Sequence, residues 1–149
     1  MQYIHYGHKE YNANLFVEPV NKEMFNKPIG GLWASSLEAP FGWKQWCTAE
    51  NYCVCNDDNA FIFELSKNAN IYQINCKTDI EKLPLIQSII HTPWLCPDFE
   101  TIKKSGIDVI QYNLSNDTTK NWCDSLYFAL YGWDCDCILV LNKNVIKPL

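Results

Sequence analysis

Residues 132–142 read GWDCDCILVLN, two acids and two thiols on alternate positions that run into an apolar segment. Period two is the period of a strand, so Asp134 and Asp136 are expected on one face and Cys135 and Cys137 on the other. Positions 138–141, Ile-Leu-Val-Leu, are apolar without interruption and predict a central strand covered on both faces. Carboxylates at the mouth of such a strand are unfavourable to desolvate unless something uses them. This pair is therefore the candidate for acid chemistry, either stabilising a developing positive charge or moving a proton.

Two other segments carry groups that could face such acids. QYIHYGH near the start is rich in β-branched and aromatic residues and predicts a strand bearing His5. His8 competes for the same role. Three residues apart on a strand, the two imidazoles are expected on opposite faces, with His5 lining a cleft and His8, before Lys9 and Glu10, near solvent. GGLWASS, residues 30–36, predicts a second strand entered through Gly30 and Gly31, where backbone or ligand can approach closely, followed by the flat ring of Trp33. Each feature alone has an ordinary structural explanation. A histidine on a half-buried strand is usually satisfied by its neighbours, a tryptophan is usually core, and acids before a strand often face water.

Taken in order, a histidine strand, a Gly-x-aromatic-small strand and an acid before a late apolar strand, the chain resembles the mono-ADP-ribosyltransferases, including their poly-ADP-ribose-polymerase branch. YIHYG corresponds to the histidine strand, GGLWASS to the aromatic strand, SLEAPFGWKQW to the helix that follows, and Asp134-Cys135-Asp136-Cys137 to the acidic segment. Trp33 stands where the family usually has tyrosine, and Asp136 where it has glutamate. The resemblance implies an enzyme that transfers ADP-ribose from NAD to a macromolecule, in the setting of a bacterial or phage effector, a toxin or a defence inhibitor. It also implies roles. Asp136 would stabilise the oxocarbenium-like transition state and hold the ribose 2′-hydroxyl, while Asp134 would position or deprotonate the acceptor. Trp33 would stack on nicotinamide, His5 would hold a ribose hydroxyl, and the backbone at Tyr6 and Gly7 would bind the amide, with Gly31 and Ser35 completing the NAD site. Alternatives are a module of the same fold that binds NAD without transfer, an NAD glycohydrolase, and a Cys–His hydrolase using His5, His8 or His91.

The remaining sequence must position these groups. With 149 residues the chain suits one domain, 1–149, able to bury roughly 70% of its unfolded surface. WKQWCTAENYC predicts a short helix with Trp43, Trp46, Cys47 and Glu50 at helical spacing, and AFIFELS with NIYQIN predicts a hairpin. TDIEKLP predicts a helix capped by Thr78 or Asp79. DFETIKKSG predicts one capped by Asp98, with Lys103 and Lys104 in its last turn and Gly106 as its stop. IDVIQYN predicts a strand, KNWCDSLYFALYG a helix ended by Gly132, and NVIKPL a short tail. The sum is an α+β domain of two small antiparallel or mixed sheets with a few short helices, and the resemblance implies that these form an ADP-ribosyltransferase-like split sheet.

Net charge of −5 and a pI of about 5.1 argue against a broad nucleic-acid footprint and favour a protein acceptor. No apolar run approaches the roughly 20 residues that span a bilayer, so no membrane partner is expected. The first residues lack the pattern of a signal peptide, which predicts a cytoplasmic location. Eight cysteines are accordingly expected reduced. The pairs Cys53–Cys55 and Cys135–Cys137 could jointly bind Zn²⁺ if they met, but strand-like C-x-C also arises from packing, and neither metal nor disulfide is expected.

Overall fold

The segment that carries the two acids leads into the middle of the structure. In the computed structural model, which describes residues 1–22, 26–87, 94–121 and 123–149, β8 (Cys137–Val140) is buried at every position. It lies antiparallel between β2 (Leu32–Ser36) and β7 (Val109–Tyr112). β1 (Gln2–Tyr6) follows β2, then β3 (Ala60–Leu65) and β9 (Ile146–Pro148), while β4 (Ile71–Ile74) runs parallel to β7 at the other edge. The result is one large mixed sheet of seven strands, in the order β4-β7-β8-β2-β1-β3-β9. A second sheet holds only β5 (Leu85–Gln87) and β6 (Leu95–Pro97). The α+β class is as expected, but the division into two small sheets is not, because β8 carries ladders on both edges and joins the strands into one sheet.

That sheet cannot be flat. β3 and β4 are separated by five inter-strand steps, about 24 Å at roughly 4.8 Å each. The chain from Leu65 to Ile71 spans at most about 21 Å and spends part of that on a turn closed by the Ala69 amide on the Ser66 carbonyl. The sheet therefore folds over on itself, and β8 feeds a core on each side. Ile138 and Val140 join Tyr3, Phe63, Val109 and Ile146 between the two halves. Leu139 and Leu141 join Ile74, Phe99, Tyr112 and Trp133 beneath the helices. Its period-two alternation thus serves two cores at once.

The same geometry corrects the expected hairpin. β3 is paired on both edges, with β1 and β9, so it has no edge left for β4. Asn70 fixes the crossover: its amide N–H donates to the Asp108 carboxylate at 2.9 Å and its side chain to the Gly106 carbonyl at 2.8 Å. β4 is thereby laid parallel to β7.

The helices are short. α1 (Trp43–Ala49) buries Cys47, and α3 (Phe99–Lys104) matches its prediction, with Asp98 accepting from the Thr101 amide at 3.1 Å. α2 (Lys77–Glu81) is capped by Cys76 rather than by Thr78 or Asp79. The Asp79 carboxylate reaches back to the Cys76 and Asn75 amides, at 3.2 and 3.0 Å. α4 (Ser125–Phe128) is four residues long, shorter than the predicted helix, since Asp124 caps it only there. Trp122 in that segment, and His91, lie outside the described residues. The tail forms β9, because Lys147 and its neighbours complete the open edge of β3.

Candidate functional site

β1 and β2 are hydrogen-bonded over only two residue pairs, Tyr3 with Ser36 and Ile4 with Ser35. Beyond them the strands part, because β1 stays registered on β3, with His5 opposite Phe61, while β2 stays registered on β8, with Trp33 opposite Leu139. A cleft of about 300 Å³ opens in the gap. His5 and Tyr6 line it from β1, and Trp33 and Ser35 from β2. Asp134 and Cys135 close it from the approach to β8, and Trp43 and Lys27 from the flanking segments.

One side chain spans the opening. The His5 Nδ1 lies 2.7 Å from the Trp33 carbonyl oxygen. A carbonyl only accepts, so Nδ1–H donates and the neutral ring presents Nε2 as an acceptor. His8 Nδ1 stands 3.4 Å from that Nε2, with the two rings stacked at 5.6 Å. The expected opposition of the two histidines is therefore overturned. Gly7, at φ +125°, ends the strand and swings His8 back over His5, although His8 itself is exposed and only His5 lines the cleft. Burial lowers the His5 pKa, the neighbouring His8 lowers it further, and the bond to Trp33 opposes both.

Trp33 packs edge-on against Trp133 at 4.6 Å, and the Lys27 ammonium sits 5.3 Å from the Trp33 ring centroid. Its π face is thus already a cation-binding surface. The Tyr6 hydroxyl donates to Asp57 at 3.2 Å, and burial together with the Asp57 charge pushes its pKa up to about 12.

The two acids separate. Residues 133–136 follow Gly132 (φ +85°) as irregular chain with a bend at 135–136, and the strand begins only at Cys137, so period two does not hold across them. Asp134 faces the cleft with His5. Asp136, 7% exposed, turns to a second cavity of about 180 Å³ on the far side of the sheet. There its carboxylate accepts from the Ser115 amide at 2.8 Å, the Ser115 hydroxyl at 2.6 Å and the Phe41 amide at 3.2 Å. Its own amide donates to the Phe41 carbonyl at 2.8 Å. This set of bonds joins the loop before α1, the segment after β7 and the mouth of β8.

Ser35 likewise works inside the scaffold. Its hydroxyl donates to the Asp136 carbonyl and accepts the Trp43 amide, both at 2.9 Å, which places α1 against the cleft. Gly31, at φ +72°, does not line the cleft. A Cβ there would stand 2.6 Å from Leu139 Cδ1 and 3.1 Å from the Val140 carbonyl oxygen, so a side chain would have to displace Leu139 on a backbone already in the left-handed region that favours glycine. Gly7 lies outside the lining as well, its amide bound to the Asn59 carbonyl at 2.8 Å.

Among the lining groups that the sequence did not single out are Trp43 and Trp133, aromatics that belong to the core by default, and two groups able to do chemistry. Lys27 sits in the long connection between β1 and β2, where no periodicity flags it. Cys135 was expected to point away from Asp134 and instead lies beside it, 3% exposed. A hydrogen bond with Cys137, another with Ser35 and the Lys27 charge hold its thiol below the usual cysteine range, against its burial, whereas the same bond and then burial push Cys137 up. The two C-x-C pairs do not meet, and there is no disulfide among the described residues, which include all eight cysteines. No helix among the described residues is long and apolar enough to cross a membrane. No protein-family model, curated protein or solved structure matches this chain.

Proposed function

We propose that the chain is an NAD-dependent mono-ADP-ribosyltransferase acting on a macromolecular acceptor, a protein in preference to a nucleic acid. The observation that carries this reading is the adjacency of β1, β2 and β8. It gathers His5, Trp33 and Asp134, which lie far apart in the sequence, around one cleft. These are the residue types, on the strands, that the resemblance to the ADP-ribosyltransferases calls for.

The cleft suits the nicotinamide-ribose half of NAD. Its walls are aromatic, from Trp33 and Trp43, and its polar groups are few. The nicotinamide ring of NAD is a flat cation, and the Trp33 face that now meets the Lys27 ammonium would take it by stacking. His5 Nε2 would accept a ribose hydroxyl in place of His8. The chain contains no arginine, so the pyrophosphate falls to lysine, and Lys27, displaced from Trp33, is the lysine that lines the cleft among the described residues. Asp134 is the acid in this cleft and takes the role first assigned to Asp136. As the bond from C1′ to nicotinamide breaks, its electron pair returns to the ring nitrogen, and positive charge develops on the ribose. A carboxylate fixed beside that charge lowers the barrier. The acceptor then bonds to C1′ and gives up its proton.

The test is release of nicotinamide from NAD by the purified protein, with mass spectrometry of host proteins for one added ADP-ribose, in wild type and Asp134→Asn. Both signals, lost together in the variant, are expected. Release without a mass shift would indicate a glycohydrolase. NAD binding with no release would indicate a non-catalytic module.

A second reading, thiol hydrolysis, draws on Cys135, whose thiol is held low and which lines the same cleft as His5. Alkylation of Cys135 without loss of turnover would dispose of it.

A further inference from the structure

Away from the cleft, the end of α1 makes a sharp reversal. Asn51 adopts a left-handed conformation at φ 50°, and the Tyr52 amide returns to the Cys47 carbonyl at 3.0 Å. The chain therefore doubles back across the buried Cys47. Val54 is turned outward, 94% exposed, while the thiols on either side of it, those of the exposed Cys53 and the half-buried Cys55, gather toward Cys47. The sulfurs of Cys47, Cys53 and Cys55 all lie within 4.8 Å of one another, and Cys53 Sγ is 3.5 Å from Cys47 Sγ. Exposing a valine almost completely while gathering three thiols is the reverse of what packing alone favours.

We propose that Cys47, Cys53 and Cys55 form a tri-thiolate site for a thiophilic d¹⁰ cation, Zn²⁺ with a solvent molecule as its fourth ligand. Three sulfurs at about 2.3 Å from a tetrahedral Zn²⁺ stand about 3.8 Å apart, a spacing the cluster reaches with small side-chain adjustments. Among the described residues no fourth His, Cys, Asp or Glu joins the group, which leaves the last position on the open side, where Cys53 is exposed. Cu⁺ shares the preference for thiolate and is content with three. A bound ion would staple residues 53–55 to α1. The first residue of that helix, Trp43, lines the cleft, and Asp57, just beyond the staple, holds the Tyr6 hydroxyl. The site does not depend on the proposed transferase activity.

The experiment uses the full chain, reduced and stripped with a chelator, then titrated with Co²⁺ as a spectroscopic probe, with Zn²⁺, and with Cu⁺ against a chromogenic Cu⁺ chelator. One equivalent of Co²⁺ with a thiolate-to-cobalt charge-transfer band, displaced by Zn²⁺, is expected. Cys53→Ser, at an exposed position that should not disturb folding, and Cys55→Ser should each weaken binding at least about 100-fold, while Cys123→Ser leaves it unchanged. Three-coordinate Cu⁺ bound in preference to Zn²⁺ would replace the ion but keep the site. Absence of the band, a band indifferent to Cys53→Ser in protein with a native circular dichroism spectrum, or a disulfide among the three with no metal uptake after reduction would overturn it.

Discussion

The His5 Nδ1–H donates to the Trp33 carbonyl oxygen at 2.7 Å, across the point where β1 and β2 cease to pair. A side chain here takes over from a backbone ladder and holds the two walls of the cleft at a fixed separation. His5→Ala leaves the Trp33 carbonyl without that donor and removes the Nε2 acceptor. NAD binding should weaken by about 1–3 kcal/mol, measured by isothermal titration. His8→Ala should change it little, since His8 is exposed and outside the cleft. Equal losses in the two variants would contradict the assignment.

The same histidine gives a pH dependence with a definite sign. Burial, then His8, lowers its folded pKa below the unfolded value, which is about 6.5. The neutral ring's contribution to stability is therefore complete above the unfolded pKa and is lost as pH falls through the lowered folded one. Urea unfolding between about pH 7 and pH 5 should show stability falling more steeply in wild type than in His5→Gln.

Asp134 and Asp136 should separate by phenotype. Asp134→Asn is expected to cut nicotinamide release by about 10² to 10³, roughly 3–4 kcal/mol, and to leave the urea midpoint near wild type. Asp136→Ala strips partners from the Ser115 and Phe41 amides and should destabilise the fold by about 2–3 kcal/mol. If Asp136→Ala were fully stable and inactive while Asp134→Asn turned over normally, the acid of the cleft would be Asp136 after all.

Ser35→Ala removes the hydroxyl that serves both the Asp136 carbonyl and the Trp43 amide. A loss of about 1–3 kcal/mol is expected, read as a lower urea midpoint at unchanged slope. A wild-type midpoint would show that water replaces the hydroxyl.

Gly31→Ala should be destabilising by at least about 1–3 kcal/mol, because a positive φ and a contact of 2.6 Å with Leu139 coincide there. Thermal unfolding checks it, and Gly106→Ala is the comparison, with positive φ but nothing within 4 Å of the added carbon.

How much the sequence determined follows from the range of each interaction. Local pattern suffices for β1, β2, β7, β8 and α3, where alternation, capping by Asp98 and the stop at Gly106 act within a few residues. It also suffices for the order of His5, Trp33 and the acids along the chain. Pairing is another matter. AFIFELS and NIYQIN look like a hairpin because they are close in sequence, yet β4 ends at one edge of the sheet and β3 five strands away, inside the other, since Asn70 and β7 compete successfully for β4. β9 escapes prediction because three residues acquire strand character only from the open edge of β3. At the site, alternation placed both acids on one face, and the bend after Gly132 divided them. Whether a carboxylate meets His5 or Ser115 depends on partners that arrive from elsewhere in the chain, and only the folded sheet supplies them. Likewise the spacing of Cys53 and Cys55 is plain in the sequence, but Cys47 joins them only because the chain reverses at Asn51.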